Sequence, residues 1–195
     1  MKKNFTVIAA GGLGTRLKNY KNNEYTKVLI PIGLTSMISQ QIKQLKNWGY
    51  DNIVIVTNPD YDKLIKEDVK GNFPNENIEF VIQSEQLGIA HALKQAEPVI
   101  DKGSQISFIL GDNFFGVNPF ANNKSIYSNN SAALVLKKVN NPEDFGVAVL
   151  KNSKIVDLIE KPKKFISKYA VLGFYKYEYE CFEIIDSLKK SDRGE

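Results

Sequence analysis

Short apolar runs alternate along the chain with stretches in which apolar residues recur every three or four positions. Phe5 to Ala10 is an apolar run that meets glycines, which predicts a buried strand leading into a loop. Ile38, Ile42 and Leu45 recur at helical spacing, Trp48 continues the stripe, and Gly49 is placed to stop the helix. Ile53 to Thr57 predicts a second buried strand. Tyr61, Leu64, Ile65 and Val69 mark a second helix, and Ile78 to Ile82 a third strand. Ile89, Leu93 and Ala96 give a third helix. Ile106 to Leu110 is the fourth strand, and it runs straight into Gly111-Asp112-Asn113.

The second half has strand patterns near Ala132 to Lys138, Gly146 to Leu150 and Lys154 to Ile159, the last two joined by a turn at Lys151-Asn152-Ser153. Tyr169 to Lys176 reads as another strand, and Tyr179 to Leu188 as a helix with Phe182, Ile185 and Leu188 inward. Strands and helices in turn predict an α/β fold, with a central, mostly parallel but mixed sheet flanked by helices. The tight turn adds antiparallel pairing. Ligands of open α/β sheets gather at the carboxyl ends of the strands, so the residues just after each strand are the ones to examine.

At 195 residues the chain can bury one substantial core, and it is expected to form one domain over residues 1–195. The 26 Lys and Arg against 22 Asp and Glu leave a net charge of +4, scattered instead of gathered into a stripe. That argues against a nucleic-acid partner and allows anionic small molecules. The single cysteine, Cys181, excludes an internal disulfide framework and fits a reducing compartment, the cytoplasm by default. No window approaches the ~20 apolar residues of a membrane span.

Gly11-Gly12-Leu13-Gly14-Thr15-Arg16-Leu17 leaves the first strand through three glycines, whose backbone N–H groups can approach an anion closely. It fits neither the dinucleotide fingerprint nor the Walker loop, which tells against a nicotinamide-dependent dehydrogenase. Lys27 begins an apolar run and can offer a compact charge to a phosphate. Asp112 supplies the hard oxygen that Mg²⁺ takes when it also binds substrate phosphates. Glu160-Lys161-Pro162 closes a strand with a carboxylate beside an ammonium, suited to sugar hydroxyls and a phosphate. Gln83 ends the third strand with an amide that can both donate and accept, as a nucleobase edge requires. His91 and Cys181 read as packing residues.

The order of these motifs is the specific signal. A strand, Gly-Gly-x-Gly-Thr-Arg-Leu, Lys-Val-Leu-Ile-Pro, Gln with Leu-Gly-Ile-Ala-His-Ala, Leu-Gly-Asp-Asn, Phe-Gly-Val and Glu-Lys-Pro succeed one another, and in this the chain resembles the sugar-1-phosphate nucleotidyltransferases from Phe5 to Glu195. The resemblance implies a Rossmann-like nucleotide-diphospho-sugar transferase fold and Mg²⁺ as cofactor. It implies, nearest to the thymidylyl branch, the reaction of dTTP with glucose 1-phosphate to dTDP-glucose and pyrophosphate, feeding polysaccharide synthesis. A uridylyl- or cytidylyltransferase, or a non-catalytic nucleotide or sugar-phosphate binding module, are the alternatives.

Motif by motif, the resemblance assigns the triphosphate to Gly11, Gly12, Gly14, Thr15 and Arg16, with Arg16 neutralising the departing pyrophosphate and Lys27 at the reacting centre. It assigns the pyrimidine to Gln83 and Gly88, and the metal to Asp112. The sugar phosphate falls to Gly146, Glu160, Lys161 and Arg193. Leu13 and Phe145 stand where the thymidylyl group usually carries serine and tyrosine. Family members continue into a segment with a second metal-binding aspartate, beyond Glu195, and into elements that help assemble homo-oligomers. The partners implied are a nucleoside triphosphate, dTTP or UTP, and a sugar 1-phosphate, with no membrane.

Overall fold

The computed structural model describes residues 2–12, 14, 26–121 and 132–188. Within them, strands β1 (Asn4–Ala9), β4 (Ile53–Thr57), β5 (Glu79–Ile82) and β6 (Gln105–Leu110) run parallel in the order β5-β4-β1-β6. The short pair β2 (Pro31–Ile32) and β3 (Thr35–Ser36) forms a separate hairpin. Helices α1 (Met37–Asn47), α2 (Asp62–Asn72) and α3 (Gly88–Gln95) provide the connections that parallel pairing requires. β7 (Ala132–Lys138), β8 (Gly146–Lys151), β9 (Lys154–Glu160) and β10 (Tyr169–Glu178) complete an eight-stranded mixed sheet. Helix α4 (Cys181–Ser187) follows.

Strand residues alternate between two apolar layers, as a sheet buried on both faces demands. Ile8, Ile53, Ile55 and Ile109 pack with Ile38, Ile42 and Leu45 of α1 and with Ile65 and Val69 of α2. On the opposite face Val7, Val54, Val56, Ile106 and Phe108 pack with Ala92 and Leu93 of α3 and Phe182 of α4. Ile38, Ile42 and Leu45 of the stripe expected on α1 are completely buried, Trp48 is half-buried against them, and Gly49, at φ +79°, ends the helix by donating to Lys46 O at 2.9 Å.

β10 joins the two halves of the sheet. It pairs antiparallel with β6 through Phe174 to Glu178 and with β7 through both its ends. Ala170 faces Lys137 of β7 and Val147 of β8, so β8 shares the edge of β10 that β6 occupies further along. Four residues at ~3.3 Å each carry β10 about 13 Å past the Phe174–Ile109 pair, beyond the carboxyl end of β6. The hairpin β8–β9 hangs from that overhang. Its turn places Asn152 and Ser153 at φ 51° and 60°, the geometry that matches strand twist in a two-residue connection.

Three apolar residues of the expected helices lie outside the core, among them Leu188, expected to face inward. Leu188 is 58% exposed because α4 stops at Ser187 and Leu188 is already extended, so helical spacing no longer carries it to the core. Leu64 lies on the outer side of α2, and Ile89 on α3 faces a cavity, not the core.

Candidate active site

Four parallel strands deliver their next residues to one edge of the sheet: Ala10 and Gly11 after β1, Asn58 after β4, Gln83 after β5, and Gly111 and Asp112 after β6. A cavity of about 640 Å³ opens there. Its wall includes Gly11, Gly12, Gly14, Lys27, Gln83, Gly88 and Asp112, gathered from separate segments of the chain. Gln86 and Ile89 from the α3 region complete one side. An apolar side chain beside glycine backbone and amide groups is suited to a planar ring.

Lys27 starts a single 3-10 turn, Lys27–Leu29, whose Val28 is buried under the loop that follows β6. That turn aims the ammonium at Asp112, with which it forms an ion pair through Oδ2. Asn113 donates from Nδ2 to Asp112 Oδ1 at 2.7 Å, so both carboxylate oxygens are engaged. Burial works to raise the Asp112 carboxyl, but the Lys27 hydrogen bond and charge, with Asn113, outweigh it and hold the group below its ordinary value. Asp112 is therefore an anion at neutral pH.

The loop carrying Asp112 is clamped from below. Gln41 of α1 is fully buried and donates from one amide nitrogen to Leu110 O at 2.9 Å and to Asn113 O at 2.7 Å, the carbonyls on either side of Asp112. Gln44, one turn further, donates to Phe115 O at 2.7 Å. Asn113 Oδ1 accepts from the Gly173 N–H of β10 at 3.3 Å. At Gly111 a β-carbon would sit 2.9 Å from both Ala9 O and Val28 Cγ1, so only glycine lets the strand pass this close. The glycine loop has its own tie: buried Asn58 donates to Gly11 O at 2.8 Å.

Sequence reasoning missed Gln41, Gln44 and Asn58. A signal existed for Gln41, which interrupts the buried stripe Ile38-Ile42-Leu45, since a polar residue there must be satisfied internally. Gln83, expected at the base edge, is buried, with Nε2 within 3.2 Å of Gly88 O and 3.1 Å of His91 Nδ1.

Gly146, Glu160 and Lys161 form a second group that does not line the cavity. Gly146 faces Glu160 across the β8–β9 ladder, and the Glu160 carboxylate lies over it, 2.7 Å from where a β-carbon would be. Lys161 adopts φ 43°, unusual for a side-chain-bearing residue, and its N–H donates to Phe145 O at 3.0 Å. Burial raises the Tyr175 hydroxyl, and the Glu160 carboxylate raises it further. The overhang of β10 carries this group past the same edge of the sheet as Asp112. Leu13, Thr15, Arg16 and Arg193 lie outside the described residues. Among the described residues no cluster of three His, Cys, Asp or Glu side chains is placed to hold a metal, and no helix is long and apolar enough to cross a membrane.

The family model for nucleotidyl transferases matches residues 5–195. The chain is 34% identical to the bifunctional protein GlmU of Methanococcus vannielii, over 97% of its own length and 44% of that relative. It is 31% identical to glucose-1-phosphate thymidylyltransferase of Neisseria meningitidis, over 97% of this chain and 66% of the other. A solved structure from Bacillus anthracis, assigned as a glucose-1-phosphate thymidylyltransferase and in complex with a sucrose, superposes with a TM-score of 0.83 at 32% identity, covering 98% of this chain and 78% of that one. UDP-glucose pyrophosphorylase complexed with UDP-glucose shares the fold at 22% identity, with a TM-score of 0.80 and coverage of 100% and 83%. The chain thus spans less than half of the GlmU relative and about two thirds of the thymidylyltransferase. The family match, together with the Rossmann-like sheet and the motif order it carries, makes this chain a member of the sugar-1-phosphate nucleotidyltransferase family.

Proposed function

We propose that this chain transfers a nucleotidyl group from a nucleoside triphosphate to a sugar 1-phosphate, with dTTP and glucose 1-phosphate giving dTDP-glucose and pyrophosphate. The observation that carries the reading is the convergence of the glycine loop, Lys27, Gln83 and Asp112 on one cavity of about 640 Å³ at the carboxyl edge of the sheet. The kinship with a thymidylyltransferase at 31% identity supports the choice of base and sugar. The setting is cytoplasmic nucleotide-sugar synthesis.

In the reaction a phosphate oxygen of the sugar 1-phosphate forms a bond to the α-phosphorus of dTTP. The bond from that phosphorus to the bridging oxygen of the β-phosphate breaks, and pyrophosphate leaves with the bridging oxygen. The nucleophile is already an anion, so no side chain has to take a proton. What the protein must supply is alignment and neutralisation of charge.

Gly11, Gly12 and Gly14 would hold the triphosphate by backbone N–H groups, with Thr15 and Arg16, and Arg16 would neutralise the pyrophosphate. Lys27 would exchange its ion pair with Asp112 for substrate phosphate. Gln83 and Gly88 would meet the pyrimidine. Gly146, Glu160, Lys161 and Arg193 would hold the sugar phosphate, brought to the reacting edge by the overhang of β10. A single anionic carboxylate fits Mg²⁺, which commonly takes one or two protein oxygens with substrate phosphates and water. Asp112 would hold it, and the ion would supply charge neutralisation to the phosphates.

Incubation with each of dTTP, UTP, CTP and GTP and with glucose 1-phosphate or mannose 1-phosphate, followed by chromatography of nucleotide sugars, tests the reading. A peak of dTDP-glucose exceeding all other products supports it. A different dominant product corrects the base or sugar, and no product in any pair refutes transfer.

A further inference from the structure

The buried amide of Gln83 belongs to a row of three polar side chains that ends at the surface of α3. Gln83 is 3% exposed and is anchored by its own backbone N–H, which donates to Thr57 O at 2.8 Å. Its Nε2 lies 3.2 Å from Gly88 O and 3.1 Å from His91 Nδ1. His91 Nε2 lies 3.0 Å from the amide of Gln95 one turn further along α3, an amide that also lies 3.3 Å from His91 O.

The chemistry of these atoms restricts their polarity. A carbonyl oxygen only accepts, so the Gln83 atom facing Gly88 is the amide nitrogen. Two amide nitrogens cannot both donate to a neutral imidazole, which offers one lone pair and one N–H. One amide must turn, and the two cases are unequal. Turning Gln83 would set its oxygen against Gly88 O in a buried site and leave two groups unsatisfied. Turning Gln95 surrenders only the long 3.3 Å contact on a half-exposed helix face. The consistent arrangement has Gln95 accepting from His91 Nε2–H, and His91 Nδ1 accepting from Gln83.

Both hydrogens of the Gln83 amide are then consumed within the protein. What remains for a ligand is Oε1, which lies beside Gly11 in the cavity wall. An oxygen that only accepts matches the N3–H of thymine or uracil and opposes the N3 lone pair of cytosine.

We propose that His91 is a specificity-determining positioning residue: Gly88 O sets which end of the Gln83 amide faces inward, and His91 Nδ1 takes the second amide hydrogen, so that only Oε1 is left to the base and the site prefers pyrimidines carrying an N3–H over cytosine. This rests on Gln83 facing the base, as in the proposed function. His91 itself stays behind Gln83 and off the cavity wall.

Equilibrium binding of dTTP, UTP and CTP to the whole protein, measured by calorimetry without turnover, tests it. The native chain is expected to bind dTTP or UTP at least tenfold more tightly than CTP. His91→Phe keeps a ring but offers no acceptor, and is expected to reduce that preference about tenfold while affinity for inorganic triphosphate stays unchanged. His91→Gln can again accept from Gln83 and is expected to restore the preference. A structural role alone would weaken all nucleotides together. An unchanged preference in both variants, with Gln83→Ala abolishing it, would overturn the role of His91 and leave Gln83 as the base reader. If Gln83→Ala changes no nucleotide affinity, the reading of Gln83 fails, and the role of His91 with it.

Discussion

The pairing of Lys27 with Asp112 sets the electrostatics of this wall of the cavity. Each cancels the charge of the other until a ligand divides them, which leaves the ammonium to face phosphate and the carboxylate to face a cation. A second lysine behaves differently. Lys176 of β10 lies 5.0 Å from the Tyr50 ring and 5.2 Å from the Phe120 ring, and burial lowers its amine to about 8. Between that value and the ordinary 10.5 the unfolded chain holds a proton that the folded chain has released, so stability rises with pH. Tyr50, raised to about 12 chiefly by burial, acts oppositely above pH 10, where the folded chain keeps the proton. Urea midpoints are expected to climb from pH 8 to about pH 9, where the Cys181 thiol, raised by burial to about 12, begins to oppose Lys176, and to fall above pH 10. Lys176→Met should flatten the climb, and an equal climb in that variant would assign it to another group.

At the scale of elements, the site depends on helix α1 as much as on the strands. Gln41 holds the two carbonyls that flank Asp112. Gln41→Met keeps the volume and removes both hydrogen bonds, taking the Gln41 donor from Asn113 O and leaving Leu110 O only the Asn113 N–H at 3.0 Å. A loss of about 1–3 kcal/mol is expected from urea unfolding. Because the carboxylate loses its fixed position, kcat is expected to fall at least tenfold with KM for the nucleotide within about twofold. Equal change in both constants would make Gln41 a packing residue only. The strands themselves were legible because each is an apolar run bounded by glycines or polar residues. The β2–β3 hairpin was not, since two residues per strand show no period. Ile89 and Leu188 share the spacing of core residues, and spacing alone does not say whether the space they face holds protein, cavity or solvent. The clamp by Gln41 and the row from Gln83 to Gln95 join distant or half-hidden groups, which only the folded chain displays.

Over the whole molecule, the parallel half of the sheet builds the edge that opens on the cavity and the antiparallel half extends past it. β10 links them, pairing with β6 beside Asp112 and with β8 beside Gly146. In the proposed function this division gives the triphosphate to one half and the sugar phosphate to the other, with the two meeting where β6 ends. The glycine loop and Asp112 were both readable in sequence because each follows a strand. Their nearness to Lys27 and the course of β10 toward Glu160 arise from topology.

The most direct test is pyrophosphate release at saturating dTTP, glucose 1-phosphate and Mg²⁺, compared between the native chain and Asp112→Asn. The native chain is expected to release pyrophosphate only with glucose 1-phosphate present. Asp112→Asn should lose at least a hundredfold in rate while its melting temperature stays within a few degrees of the native value. Release that persists in Asp112→Asn, or absence of release from a native chain that still binds dTTP, would contradict the assignment of nucleotidyl transfer to this edge of the sheet.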